Sequence, residues 1–179
     1  FEEHSGFVVS NISTEFQITD STCVVPSLAI SLPNSELIFD TISLKYDHLS
    51  DLSKNINALK VKTKLLPSNI YCPDLQAFLP ELGNLRRKTI VSCELLGHLD
   101  NIKANSLNLH YGSDIVFDGD FEFSGLPKLS ETFVYARLNE ISFTTTSLQD
   151  LIANITQKPF VLPAEFRNFG KCKYSGNIA

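Results

Sequence analysis

The sequence predicts a mainly β chain, folded as a largely antiparallel sheet with two short amphipathic helices. Three observations carry this. Apolar and polar residues alternate with period two over much of the second half, Gly and Pro punctuate the alternation, and only two stretches change to a helical period. The alternation itself argues for antiparallel pairing, because parallel strands covered on both faces read as continuous apolar runs.

In chain order, Leu28, Ile30 and Leu32 alternate between Pro26 and Pro33, which marks an edge strand because proline cannot donate to a ladder. Ile42, Leu44 and Tyr46 repeat the pattern, as do Leu59, Val61 and Leu65 against Lys60, Lys62 and Lys64. Residues 74 to 82 then bring Leu75, Phe78, Leu79 and Leu82 onto one helical face, with Pro80 limiting or kinking the helix. Val91, Cys93 and Leu95 oppose Ser92 and Glu94 as the next strand.

The longest alternation runs from Ser106 to Ser124. Leu107, Leu109, Tyr111, Ile115, Phe117, Phe121 and Phe123 fall at odd positions, and Asn108, His110, Asp114, Asp118, Asp120 and Glu122 at even ones. Successive strand side chains point to opposite faces, so this is an aliphatic and aromatic face backed by a polar one. Gly112-Ser113 and Gly119 stand where a turn or bulge bends the strand. The same odd parity continues through Phe133, Tyr135, Ile141 and Phe143. The second helix is predicted over 147 to 155, where Leu148, Leu151, Ile152 and Ile155 share a face and Ser147 and Asp150 are spaced as a capping box.

A chain of 179 residues corresponds to about one domain, and 43% hydrophobic composition is enough to fold it. With 15 basic against 20 acidic residues the net charge is −5, which lacks the cationic excess of a phosphate-reading surface, so no nucleic-acid partner is expected. The apolar runs fall far short of the roughly 20 residues of a membrane-spanning helix. The start at Phe1, the lack of Met and the ending in a strand-like stretch lead us to expect a segment of a longer protein. Asp74-Leu75 and Asp150-Leu151 occupy equivalent places, so the single β-rich segment 1–179 divides into repeat units of about 1–82 and 83–155.

No pattern marks catalysis or a cofactor. Cys23, Cys72, Cys93 and Cys172 match no zinc spacing and read as buried free thiols, with a single long-loop disulfide as the alternative. Parity puts Cys93 on the apolar side. His4, His48, His98 and His110 are scattered, and no phosphate-binding loop or nucleophile elbow occurs. Asp118-Gly119-Asp120-Phe121-Glu122 brings three acids together, which could chelate calcium or supply an acid/base pair through Asp118 and Glu122. The alternation reads better as the wet face of an aromatic-backed strand, so neither metal ligands nor catalytic residues are assigned.

The order of short motifs carries a resemblance. Leu96-Gly97-His98-Leu99-Asp100-Asn101-Ile102, Leu107-Asn108-Leu109-His110-Tyr111-Gly112, Phe123-Ser124-Gly125-Leu126-Pro127, Thr144-Thr145-Thr146 and Asp150-Leu151 resemble the repeated region of the TamB (translocation and assembly module) family, within the AsmA-like group of Gram-negative envelope proteins. The likeness spans roughly residues 65 to 179, with a looser fit through Asp20-Ser21 and Leu32-Pro33-Asn34-Ser35-Glu36-Leu37. It implies the periplasmic portion of an inner-membrane-anchored protein, its N-terminal anchor outside this chain, reaching towards an outer-membrane assembly partner of the BamA/TamA type. It also implies a curved half-pipe, or β-taco, whose apolar concave face carries phospholipid or another apolar chain, or shelters outer-membrane protein strands. No enzymatic motif comes with the family.

The ligand-binding residues this implies are Leu107, Leu109, Tyr111, Ile115, Phe117, Phe121, Phe123, Phe133, Tyr135, Ile141 and Phe143. An apolar sheet face must be covered by another layer, a ligand or a neighbour, and two short helices are little cover. The residues leave two architectures, an open groove and a closed barrel or sandwich with an ordinary core. The closed form corresponds to a purely structural assembly or adhesion module, and a carbohydrate-active enzyme is the third and least favoured function.

Overall fold

Strands that alternate in sequence lie beside their sequence neighbours in a meander. The computed structural model describes residues 9–55, 58–126, 131–166 and 169–178; His4 and Pro127 lie outside them. One sheet contains eleven strands. They are β1 (Asn11–Thr14), β2 (Gln17–Ile18), β3 (Thr22–Val25), β4 (Leu28–Ser31), β5 (Glu36–Lys45), β6 (Lys60–Ile70), β7 (Thr89–His98), β8 (Asn101–Tyr111), β9 (Ile115–Ser124), β10 (Phe133–Thr144) and β11 (Lys171–Ile178). The order is β1-β4-β5-β6-β7-β8-β9-β10-β11, with β3 joining β5 alongside β4, and β2 joining β3. Every pairing is antiparallel. No ladder joins β1 to β11 among the described residues, so the sheet is open and does not close into a barrel.

The sheet curves because its long strands are bulged near their middles. Two residues oppose one at Asp40-Thr41 of β5, Asn105-Ser106 of β8 and Asn139-Glu140 of β10, and Leu66-Pro67 of β6 stands opposite Ser92 alone. On β8, Asn105-Ser106 face Asp120 on one side and Ser106-Leu107 face Cys93 on the other, and the β10 bulge faces Ser175, so from β6 to β11 the irregularities fall close to one line. A bulge bends its strand and increases the local twist. Repeated strand after strand, it becomes a crease across the sheet.

Each bulge also resets parity. Apolar residues point inward at Leu37 and Phe39, then at Ile42 and Leu44; at Ile102 and Ala104, then at Leu107, Leu109 and Tyr111; at Val134, Ala136 and Leu138, then at Ile141 and Phe143. This corrects the reading of Phe133 and Tyr135. Tyr135 pairs with Glu122 and Phe133 with Ser124, which puts both on the polar face, where they are 45% and 82% exposed. Their odd parity matches Ile141 and Phe143 only across the bulge.

Among the described residues two α-helices accompany the sheet, α1 (Asp51–Lys54) and α2 (Thr145–Thr156). The second begins two residues before its predicted start. Thr144 is the N-cap, its Oγ1 accepting from the Ser147 amide at 3.2 Å while Ser147 Oγ accepts from the Thr144 amide at 3.0 Å. The helix predicted over 74 to 82 forms instead as two 3-10 turns, Cys72–Leu75 and Pro80–Asn84. Pro80 has no amide to continue an α-helix and its ring clashes with the preceding turn. The short run Leu28–Ser31 is not an edge either, because β1 pairs its outer side and both prolines lie beyond its ends.

Connections after β4, β6, β8 and β10 gather along one rim. There Cys72, Leu85, Tyr111 and Ile115 are buried together, with Leu82, Phe143, Leu151 and Ile155 packed against them. Asp74 ties this rim to the β4–β5 turn by accepting from the Asn34 amide at 2.8 Å and Ser35 Oγ at 2.7 Å. The opposite rim holds a smaller cluster of Cys23, Tyr46 and Leu59, with Leu52 of α1 against it.

Candidate functional site

The apolar face of the sheet is the candidate site, and its cross-strand rows explain how it fits inside a bend. One row runs Ala104, Phe121, Ala136 and Ile178; the next runs Leu107, Gly119, Leu138 and Gly176. Side chains converge on a concave face, so large residues flanked by Ala or Gly let the walls approach without collision. A third row places Val91, Leu109, Phe117, Ile141 and Tyr174 side by side. Phe121 stacks on Phe123 with centroids 6.1 Å apart and meets Phe117 edge-on at 6.5 Å.

Burial is graded from floor to margin. Leu65, Val91, Cys93, Ala104, Leu107, Phe121, Ala136 and Leu138 form one buried floor, while Leu95, Leu109, Phe117, Phe123 and Ile141 are half-buried above it. At the margins Ile12, Val134, Tyr174 and Ile178 are 57%, 41%, 47% and 47% exposed. Helix α2 and the 3-10 turns pack at one rim, and the other substantial contacts between elements join ladder neighbours. No second sheet lies across the floor among the described residues.

The predicted site residues therefore divide into three groups. Leu107, Leu109, Phe117, Phe121, Phe123 and Ile141 share the inner face. Tyr111, Ile115 and Phe143 point the same way but lie under α2 and the 3-10 turns, where Ile115 is completely buried. Phe133 and Tyr135 are on the other face. Ile102, Ala104, Val134, Ala136 and Leu138 belong to the inner face and break the odd parity. The signal that finds them is the pair of consecutive polar residues, Asn105-Ser106 or Asn139-Glu140, interrupting a strand.

On the polar face, Asp120 and Asp118 of β9 bind the bulged residues of the crease, and Glu122 makes an ordinary cross-strand ion pair. Asp120 accepts from the amide of bulged Ser106 at 2.9 Å and from Arg137 at 2.5 Å. Asp118 accepts from Asn108 and from Asn139 of the β10 bulge, both at 2.9 Å, and Glu122 accepts from Lys103 at 2.6 Å. The Ser106 amide, followed by the Arg137 guanidinium, lowers the Asp120 carboxyl below the ordinary carboxylate range. Among the described residues no three His, Cys, Asp or Glu side chains converge on a position for a metal ion.

Two cavities are lined mostly by polar-face residues, and the larger also takes in Thr63 and Leu95 of the inner-face rows. One of about 210 Å³ is lined by Lys103, Asn105, Asp120, Glu122, Tyr135 and Arg137. Another of about 790 Å³ lies over β5, β6 and β7, with Asp40, Lys62, Lys64 and Glu94 among its lining residues. Inside the floor, desolvation pushes the Cys93 thiol up to about 11, so this thiol behaves as a small hydrophobe. Comparison of the chain with family models, curated proteins and solved structures finds no match.

Proposed function

We propose that this chain is a non-enzymatic bridge segment whose inner face seats apolar chains, phospholipid acyl chains first among them. The supporting observation is the continuous apolar inner face on an open sheet. Its floor is already buried, so the apolar surface left for an occupant is the half-buried Leu109, Phe117 and Phe123 with the exposed margin of Val134, Tyr174 and Ile178, a patch of the kind that marks ligand surfaces. Each methylene of an acyl chain moved from water onto that face gains about 0.8 kcal/mol, so a chain of ordinary length gains enough to offset the ordering it undergoes. The resemblance to TamB and AsmA-like proteins supplies the setting: the periplasm, an inner-membrane anchor on the full protein, and an outer-membrane partner of the BamA/TamA type. Outer-membrane protein strands are the second cargo that setting suggests.

The test is photocrosslinking. A photoreactive residue at position 123, on the half-buried part of the inner face, is exposed to vesicles of phosphatidylethanolamine and phosphatidylglycerol, with position 122 on the polar face as the control. Lipid adducts from 123 and none from 122 are the expected result. Equal labelling from the two positions, or none from either, rejects the reading.

A second reading, a structural assembly module without cargo, draws support from the tightness of the floor, where Ala104 and Ala136 are each 3% exposed. It predicts no adduct from position 123 at any vesicle concentration.

A further inference from the structure

The polar face matches its charges across strands, except along one row. On β8, β9 and β10 each acid has a cross-strand partner: Glu122 accepts from Lys103, Asp120 from Arg137, and Asp118 from Asn108 and Asn139. The row that crosses β3, β5, β6, β7 and β8 near the other end of the strands reads Thr22, Lys45, Lys60, His98 and Asn101. Three basic side chains stand side by side in it, with no acid between them. Lys62, the next outward residue of β6, adds a fourth.

The neighbouring acids are matched elsewhere. Lys64 lies between Asp40 of the β5 bulge and Glu94, and it engages Glu94 at 3.3 Å. Lys45, Lys60 and Lys62 make no ion pair among the described residues. Lys45 and Lys60 are direct cross-strand partners, and like charges placed so destabilise a sheet. A bound anion relieves that repulsion. The row is also concave: a cavity of about 420 Å³ is lined by Lys45, Lys60 and His98, with Ser21, Thr22 and Asp47 among the other residues of its wall. That volume is in the range of about 300–1,000 Å³ usual for small-ligand sites. Two ammonium groups and an imidazole there face the single carboxylate of Asp47, in a chain whose net charge is −5.

We propose that this row binds the phosphoryl group of a phosphomonoester, carried by a soluble ester or by a lipid head. Such a group brings a charge of about −1.5 to −2 and three strong acceptor oxygens at neutral pH, which matches the opposed lysines and the imidazole N–H donor. A carboxylate or a phosphodiester brings one charge and leaves one lysine of the pair uncompensated. The row lies on the opposite side of the sheet from the apolar floor, so this site goes beyond the acyl-chain reading and is tested independently of it.

Isothermal titration calorimetry of the whole chain with glycerol 3-phosphate is the test, with the diester glycerophosphoglycerol as the comparison. One-to-one binding of the monoester, at least tenfold tighter than that of the diester, is expected. Lys45→Gln and Lys60→Gln should each weaken it at least tenfold, and Asp47→Asn should tighten it several-fold. Lys103→Gln, whose ion pair with Glu122 lies outside this cavity, should leave it unchanged. In the absence of ligand, Lys60→Gln should raise the urea midpoint because it removes the opposed charges, which separates lost binding from lost folding. Co-sedimentation with phosphatidylcholine vesicles containing phosphatidate, against vesicles containing phosphatidylglycerol, distinguishes the carriers. Binding of both glycerol 3-phosphate and phosphatidate vesicles assigns the phosphoryl group whatever carries it; vesicles alone narrow it to a lipid head, and the soluble ester alone narrows it to a soluble ligand. Binding of neither, equal binding of monoester and diester, or binding that survives both lysine substitutions overturns the proposal.

Discussion

Gly119 stands where the crease crosses β9, between Leu107 and Leu138. Its φ of +154° belongs to backbone that residues with a Cβ rarely adopt, and an added Cβ would collide with the Arg137 carbonyl oxygen. Gly119→Ala should therefore destabilise the fold by about 2–4 kcal/mol, read as a shift in urea midpoint at unchanged slope. Asp120 works from the other side of the same crease. Its carboxyl sits below its unfolded value because the Ser106 amide and then Arg137 favour the ionised form. A depressed carboxyl contributes stability that is present above the unfolded pKa and is lost as pH falls through the folded one. Asp120→Asn should thus cost about 1 kcal/mol at neutral pH and flatten the loss of stability below about pH 4, measured by denaturation across pH. The pairing of these acids was legible only as a wet face, because sequence alternation says which side a residue takes and nothing about which amide a bulge leaves unpaired.

At the scale of elements, legibility followed periodicity and failed where a single residue overrode it. The strands from β6 to β9 emerge from alternation in nearly their observed places, and α2 emerges from its Leu148, Leu151, Ile152 and Ile155 stripe. Residues 74 to 82 share that kind of stripe, yet Pro80 converts it into 3-10 turns. The four strands β1 to β4 are short, and β2 spans only Gln17–Ile18, too little to show a period. Arg87 links three of these elements. Its guanidinium reaches Asp114 of the β8–β9 turn at 3.3 Å and Asp150 of α2 at 3.1 Å, and lies 5.8 Å from the Tyr111 ring centroid. All three charged side chains are partly exposed, so the ion pairs are screened and their effect is local. Arg87→Ala should lower global stability by about 1 kcal/mol and accelerate amide exchange in α2 more than in β7, as hydrogen-exchange mass spectrometry can resolve.

For the whole molecule, the choice between an open groove and a closed core was beyond the sequence, because both need the same alternation. What decides it is the placement of bulges and the partnering of outer strands. Asn105-Ser106 and Asn139-Glu140 fold the sheet without bringing β1 to β11, and among the described residues no second layer covers the inner face. The central claim, that this face takes acyl chains, is tested most directly by native mass spectrometry of the chain and its Phe123→Asp variant after incubation with phosphatidylethanolamine and phosphatidylglycerol vesicles. Phe123 is half-buried, and a carboxylate there needs water that a bound chain displaces. The account predicts a phospholipid adduct on the unsubstituted chain and its loss in the variant, with a stability change of no more than about 1 kcal/mol. A chain that carries no lipid, or a variant that unfolds by the several kcal/mol expected for an unpaired charge in a closed core, would contradict it.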